Sequence, residues 1–231
     1  MSEIVLAIDT ATPAGSVAVE EGGNILSLRA FDAPREHSRR LFVEIDAALA
    51  DAGRERSQIR LIAATTGPGS FTGLRIGLSA AKGLCMGLQV PLVQISTLES
   101  LAARLPFCRL PVCTLLDARR GEVYAAMYDT ADGPPKQIHA PCADELGRLL
   151  ALWGADDVLF TGDCVDMLGE LLSSAQTPIF APPSVRRPSA DAVAWLASLK
   201  TASACVDVAQ AEPVYLRTPS FVTTEAMRGS V

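Results

Sequence analysis

An α/β fold of two related lobes is what this sequence predicts, and three observations predict it. Short apolar runs of strand type alternate with longer stretches of helical period. A strand–Asp–turn–Gly–strand order occurs twice, in "IVLAIDTATPAGSVAVEE" (4–21) and in "VCTLLDARRGEVYAAMYD" (112–129). A chain of 231 residues, 49% of them hydrophobic, can bury a core as one large domain or as two small lobes. If the order is a duplication, each stretch opens a βββα-type unit, and the units meet near Pro106–Pro111. If it is not, they are two ordinary hairpins.

The elements follow in order. "IVLAID" is a short apolar strand, "TATPAG" turns the chain, and "SVAVEE" and "NILSLRAF" are alternating strands joined at Gly22-Gly23. Residues 36–53 have helical period, with Gly53 a natural stop. "IRLIAATT" is a buried strand. The glycine-rich "TTGPGSFTGLRIG" (65–77) opens a long helix that runs on through "LSAAKGLCMG". "PLVQIS" is a strand, and "TLESLAARL" a short helix ended near Pro106. The second half offers the repeated strand pair, a polar loop "TADGPPK", a helix around 143–153, the strand "DVLFTGD", a helix at 165–174, a Pro-rich loop and a helix over 189–200. The segment "EPVYLR" closes the ordered part, and the last ten residues or so are expected to fray.

Composition narrows the chemistry. A net charge of −6 gives the whole chain no affinity for nucleic acid unaided. The six cysteines show no CxxC, which suits free thiols in a reducing cytosol. Only His37 and His139 are available, too few for a histidine-based metal site or a Ser/His/Asp triad. With no signal peptide after "MSE" and no apolar run near ~20 residues, a cytoplasmic protein without membrane contact is expected.

The glycine loop fails as a Walker A motif: five positions on from Gly67 and Gly69 stand Thr72 and Leu74, and no lysine follows Gly73. Ser70 is placed to cap the helix. On the helix itself Leu74, Leu78, Ala81, Cys85 and Leu88 form a stripe for the sheet, while Gly73, Gly77, Ala80, Leu84 and Gly87 form a slim apolar stripe beside it. Small residues at four-residue spacing permit close helix approach. The helix at 36–53 is apolar twice over. Its core stripe, Leu41, Ile45, Ala48 and Ala52, is extended by Phe42 and Leu49, and Val43, Ala47 and Ala50 lie on the far side. Such a helix is either sandwiched within the fold or presents a patch to a partner. Asp9 and Asp117 close equivalent strands, one per half, and Gly162 ends another, so a weak phosphate or nucleotide site at these three is the alternative chemistry.

The stretches "GPGSFTGLRIGLSAAKGL", "IDTATPAGSVAV", "STLESLA", "LLDARRGEVYAAMY" and "PVYLR", with the "HS…L" that opens the first helix, resemble the bacterial TsaB (YeaZ) family over nearly the whole chain. The resemblance implies an actin-like (ASKHA, ribonuclease H-like) fold of duplicated βββαβα units. It divides the chain into a lobe at 1–108 with the docking helices, a smaller lobe at 109–217 and a flexible tail at 218–231. It implies no catalytic residues in this chain, but a scaffold role in threonylcarbamoylation of adenosine beside the anticodon of ANN-decoding tRNAs. The partners implied are a TsaD-like catalytic paralogue, a TsaE-like ATPase, tRNA through the complex, and a second copy when the chain is alone. ATP or ADP enters only at the level of the complex. The docking face would comprise Val43, Ala47, Ala50, Gly73, Gly77, Ala80 and Leu84. The paralogue's two metal-binding histidines fall on Thr97 and Leu101, neither a ligand for iron or zinc, so a metallopeptidase of M22 type is the least favoured reading. An ASKHA-type ATPase or kinase using Asp9 and Asp117 is the runner-up. Cys164 stands where the family leads one to expect glycine, which weakens a phosphate role for that turn.

Overall fold

The computed structural model describes residues 3–32, 37–154, 156–168, 178–200 and 205–216. Two mixed sheets carry the chain. In the first, β1 (Ile4–Asp9), β2 (Ala14–Glu21) and β3 (Asn24–Asp32) form an antiparallel meander, and β4 (Ile59–Gly67) runs parallel to β1 on its other side, followed by β5 (Leu92–Ser96). The second repeats the plan: β6 (Val112–Arg119), β7 (Glu122–Asp129) and β8 (Lys136–Glu145) meander, while β9 (Leu159–Gly162) and β10 (Ile179–Phe180) lie parallel on the far side of β6. Strand orders 5-4-1-2-3 and 10-9-6-7-8 are the same topology twice. This is the two-lobed actin-like α/β fold.

Every residue of β1 is buried because the strand is central and covered on both faces. Helices α1 (His37–Asp51) and α2 (Phe71–Leu88) cover one face, where Leu41, Ile45, Leu78 and Ala81 pack on Ile4, Leu6, Ile8, Val17 and Val19. The opposite face, with Val5, Ala7, Ala18 and Ala63, receives Val193, Leu196 and Ala197. Ser70 caps α2 as expected, its Oγ accepting from the Gly73 N–H at 3.2 Å. Between the sheets, α3 (Thr97–Ala102) buries Leu98 and Leu101 against Val112, Leu116 and Tyr128 of the second sheet. The second sheet packs its own α4 (Leu146–Trp153) through Leu146 and Leu149. Among the described residues no helix is long and apolar enough to cross a membrane.

The structure departs from the sequence reading in several places. Residues 136–145 pair with β7 as a strand, so the helix expected at 143–153 begins only at Leu146. The helix expected at 165–174 opens with a 3-10 turn at Val165–Met167, Leu168 is helical, and the remainder from 169 lies outside the described residues. The stretch 109–217 does not remain on the second sheet. Helix α5 (Ala190–Leu199) packs on β1 and β2, and β11 (Cys205–Val206) extends the first sheet beside β5. The tail expected to fray, 218–231, is outside the described residues.

Candidate functional site

Three places gather the residues that the sequence singles out. The first is the glycine loop at the start of α2. Gly67, Gly69, Gly73 and Gly77 all stand where a side chain would collide with this chain's own atoms. A β-carbon on Gly67 would meet the Val214 carbonyl oxygen at 2.5 Å. On Gly69 it would overlap the Ala11 carbonyl, on Gly73 the Thr10 carbonyl, and on Gly77 the Thr10 hydroxyl. Hydrogen bonds lock the contact: the Thr10 hydroxyl donates to the Gly73 carbonyl at 2.8 Å, and the Ser70 N–H to the Ala11 carbonyl at 2.7 Å. Gly73 and Gly77 are buried, which corrects the expectation that both face a partner. Gly73 and Gly77 are slim so that the turn after β1 can lie on α2, whereas Gly87, at the far end of the same stripe, is exposed with open space around it. Ala80 is also buried, at its edge, and Leu84 packs partly on the core.

The second place is the outer face of α1 and α2. Phe42 and Val43 are 44% and 54% exposed, Ala50 is exposed and Ala47 half-buried. Phe42, expected in the core stripe, instead lines a groove of about 360 Å³ with Arg75, Ile76, Ser79 and Ala80. Ile76 belonged to none of the stripes recognised in the sequence. Its signal was an aliphatic residue between the polar Arg75 and the buried Gly77, on the side toward α1. Glu44, buried beside this face, is neutralised by Arg29 of β3 at 2.6 Å and by Arg40, one turn earlier on α1, at 2.7 Å. Beyond the groove, Arg75 lies over the Phe71 ring at 3.8 Å and bonds the Tyr215 hydroxyl at 3.2 Å.

The third place is the cleft between the sheets, about 850 Å³, lined by Thr12, Ser70, Asp117, Arg119, Asp163 and Asp166 among others. Asp117 is here, its N–H donating to Asp163 Oδ1 at 3.0 Å and its Oδ2 paired with Arg119 at 3.1 Å. Asp9 and Gly162 are not. Asp9 is wholly buried under the turn, accepting from the Thr65 hydroxyl at 2.8 Å and the Ala11 N–H at 3.2 Å through Oδ1, while its Oδ2 has no partner. Burial pushes its carboxyl up to about 6 against these bonds. Gly162 is a glycine because β9 crosses too close to the Leu115 carbonyl for any side chain, and its φ of 137° suits glycine alone. So the three residues expected at a phosphate site do not converge, and the cleft is lined by three carboxylates against one guanidinium, a poor host for an anion. Thr97 and Leu101 are both fully buried in α3. Among the described residues no three His, Cys, Asp or Glu side chains come together as a metal site would require.

Comparison with known proteins places this geometry. The family model described as "TsaD: tRNA N6-adenosine threonylcarbamoyltransferase" matches residues 31–228. The chain is 40% identical over 126 residues to the tRNA threonylcarbamoyladenosine biosynthesis protein TsaB of Escherichia coli, a match covering 54% of each. It is 31% identical over 134 residues to the Bacillus subtilis protein of the same name, covering 58% of each. The chain thus spans about half the length of the curated relatives it matches. Among solved structures, YeaZ from Pseudomonas aeruginosa superposes with a TM-score of 0.81 at 32% identity, over 93% of this chain and 100% of that one. The chain belongs to the family of the TsaD model and, within it, is of the TsaB (YeaZ) type.

Proposed function

We propose that this chain works in tRNA threonylcarbamoyladenosine biosynthesis as a non-catalytic subunit, docking a TsaD-like paralogue through the outer face of α1 and α2. The observation that carries the reading is the apolar groove at Phe42 and Ile76, with Val43 exposed next to Phe42 on α1. An exposed Phe and Val side by side on a helix whose core stripe is already filled call for a partner, and a paralogue of the same fold offers a related face. The docking residues are therefore Phe42, Val43, Ala47, Ala50, Ile76 and Ala80, with Gly73 and Gly77 shaping the helix from beneath. The same face serves self-association when the paralogue is absent. A TsaE-like ATPase and tRNA join through the assembly, since a chain of net charge −6 draws RNA weakly by itself.

A nucleotide-hydrolysing role gains no support from an Asp9 sealed from solvent. The test is co-purification of this chain with its own organism's TsaD-like protein, followed by a tRNA modification assay with and without the chain. Phe42→Glu is expected to abolish both the complex and the stimulation. Modification by the isolated chain, or an intact complex with Phe42→Glu, would overturn the reading.

A further inference from the structure

On the opposite side of the first sheet from the α1–α2 groove, a cavity of about 430 Å³ opens between the β2–β3 hairpin, the end of α3 and the first turns of α5. Its volume is that of a small-molecule site. Glu20, Arg104 and Asp191 supply its polar groups, and Ile25, Val185 and Trp195 its apolar wall.

The polar groups are incompletely satisfied. Glu20 is 2% exposed, and its carboxylate accepts from the Gly23 N–H through Oε1. Among the described residues it has no cationic partner. Burial raises its carboxyl above the ordinary glutamate range. Arg104 and Asp191 approach only to 3.9 Å, too long for a hydrogen bond. Arg104 gives one N–H to the Ser184 carbonyl at 3.1 Å, but its Nε is buried without a partner, as is Asp191 Oδ1. A buried carboxylate without a counter-charge is costly, and so is each orphaned donor or acceptor. Two carboxylates and one guanidinium leave the cavity one negative charge in excess. One acceptor, Asp191 Oδ1, and one donor, Arg104 Nε, await a partner, and the Glu20 carboxylate awaits a counter-charge.

We propose that this cavity binds a small basic amino acid, a molecule carrying a side-chain ammonium, an α-ammonium and a carboxylate. Its net charge of +1 cancels the excess. The ammonium groups satisfy Glu20 and Asp191, the carboxylate takes the Arg104 Nε, and the methylene chain lies on Ile25, Val185 and Trp195. The site is independent of the docking face, so the failure of one reading leaves the other standing.

Calorimetric titration of the full chain with L-lysine tests it, with the fluorescence of Trp195 as a second signal. L-Lysine is expected to saturate with a Kd below about 1 mM. L-Norleucine, which lacks the side-chain ammonium, and cadaverine, which lacks the carboxylate, are each expected to bind at least about tenfold more weakly. Glu20→Gln keeps the acceptor for the Gly23 N–H and is expected to weaken lysine about tenfold without affecting norleucine. Should Glu20→Gln lower the melting temperature, Asp191→Asn at the half-exposed end of the cavity is the variant to use; Asp191 holds the α-ammonium that both ligands carry, so lysine and norleucine are both expected to weaken about tenfold. No saturation by about 10 mM lysine, equal binding of lysine and norleucine, equal binding of lysine and cadaverine, or wild-type affinity in the variant that stays folded would each overturn the proposal.

Discussion

Thr10 and Gly77 touch so closely that the threonine hydroxyl occupies the space where a β-carbon on residue 77 would stand. The same hydroxyl donates to the Gly73 carbonyl, one turn earlier on α2. A turn at the end of one strand is thereby fastened to a helix more than sixty residues further along the chain, |i−j| being 63 for this bond. The glycines that weaken α2 locally are what allow the fastening.

Gly77→Ala should therefore destabilise the protein by about 1–3 kcal/mol, although alanine is the better helix former by about 1 kcal/mol. Thr10→Ala removes the obstructing oxygen together with its hydrogen bond. The double variant should lose less stability than the two single losses combined, a coupling readable from urea unfolding of all four proteins. Gly77→Arg should fail to fold, rather than fold and fail to dock.

Asp9 makes stability depend on pH in an unusual direction. Its folded carboxyl sits at about 6 against an ordinary aspartate value of 3.8 because burial disfavours the charge. The folded state holds the proton more tightly, so this group favours folding most below about pH 4, and the advantage is lost as pH rises through 6. The loss approaches about 3 kcal/mol. Asp9→Asn cannot ionise. The difference in unfolding free energy between variant and wild type should shift by about that amount, in favour of the variant, from pH 4 to pH 7 in urea titrations.

Val43→Glu, on the outer face of α1, should leave the unfolding free energy within about 0.5 kcal/mol of wild type, because Val43 is more than half exposed. Binding to the TsaD-like protein should weaken about tenfold or more by calorimetry. An intact fold with lost binding separates this face from Gly73 and Gly77, whose substitution damages the fold itself.

The thiols should divide by depth. Burial pushes Cys85 up to about 12 and holds Cys113 and Cys164 further above the ordinary thiol range. A thiol reagent at pH 8 should label Cys108 and Cys205, both half-buried, well before these three, which should react only on unfolding. Peptide mapping after timed labelling gives the order.

Much of the secondary structure was readable from local pattern. The apolar run of β1, the Ser70 cap and the stripe of Leu74, Leu78 and Ala81 each depend on residues within a turn or two of one another. β8 was missed because it is an edge strand, exposed or half-buried along its length, whose polar and apolar residues alternate weakly and which borders a helical stretch. Phe42 and Leu49 fall only some twenty degrees apart on the wheel at 100° per residue. Yet Leu49 is buried and Phe42 exposed, because the neighbouring sheet covers one and stops short of the other.

By itself the sequence determined the order of strands and helices from β1 to β7, the repeated strand–Asp–turn–Gly–strand plan and the membership of the family, all carried by neighbours in the chain. Only the tertiary structure decided what each face meets. It set Thr10 against Gly77, sealed Asp9 away from Asp117, gave Gly162 to the Leu115 carbonyl, and returned α5 to the first sheet to bring Asp191 near Glu20 and Arg104. Periodicity states which side chains share a face, whereas close packing between segments far apart in sequence states what covers it, and a helical period carries no information about its neighbour.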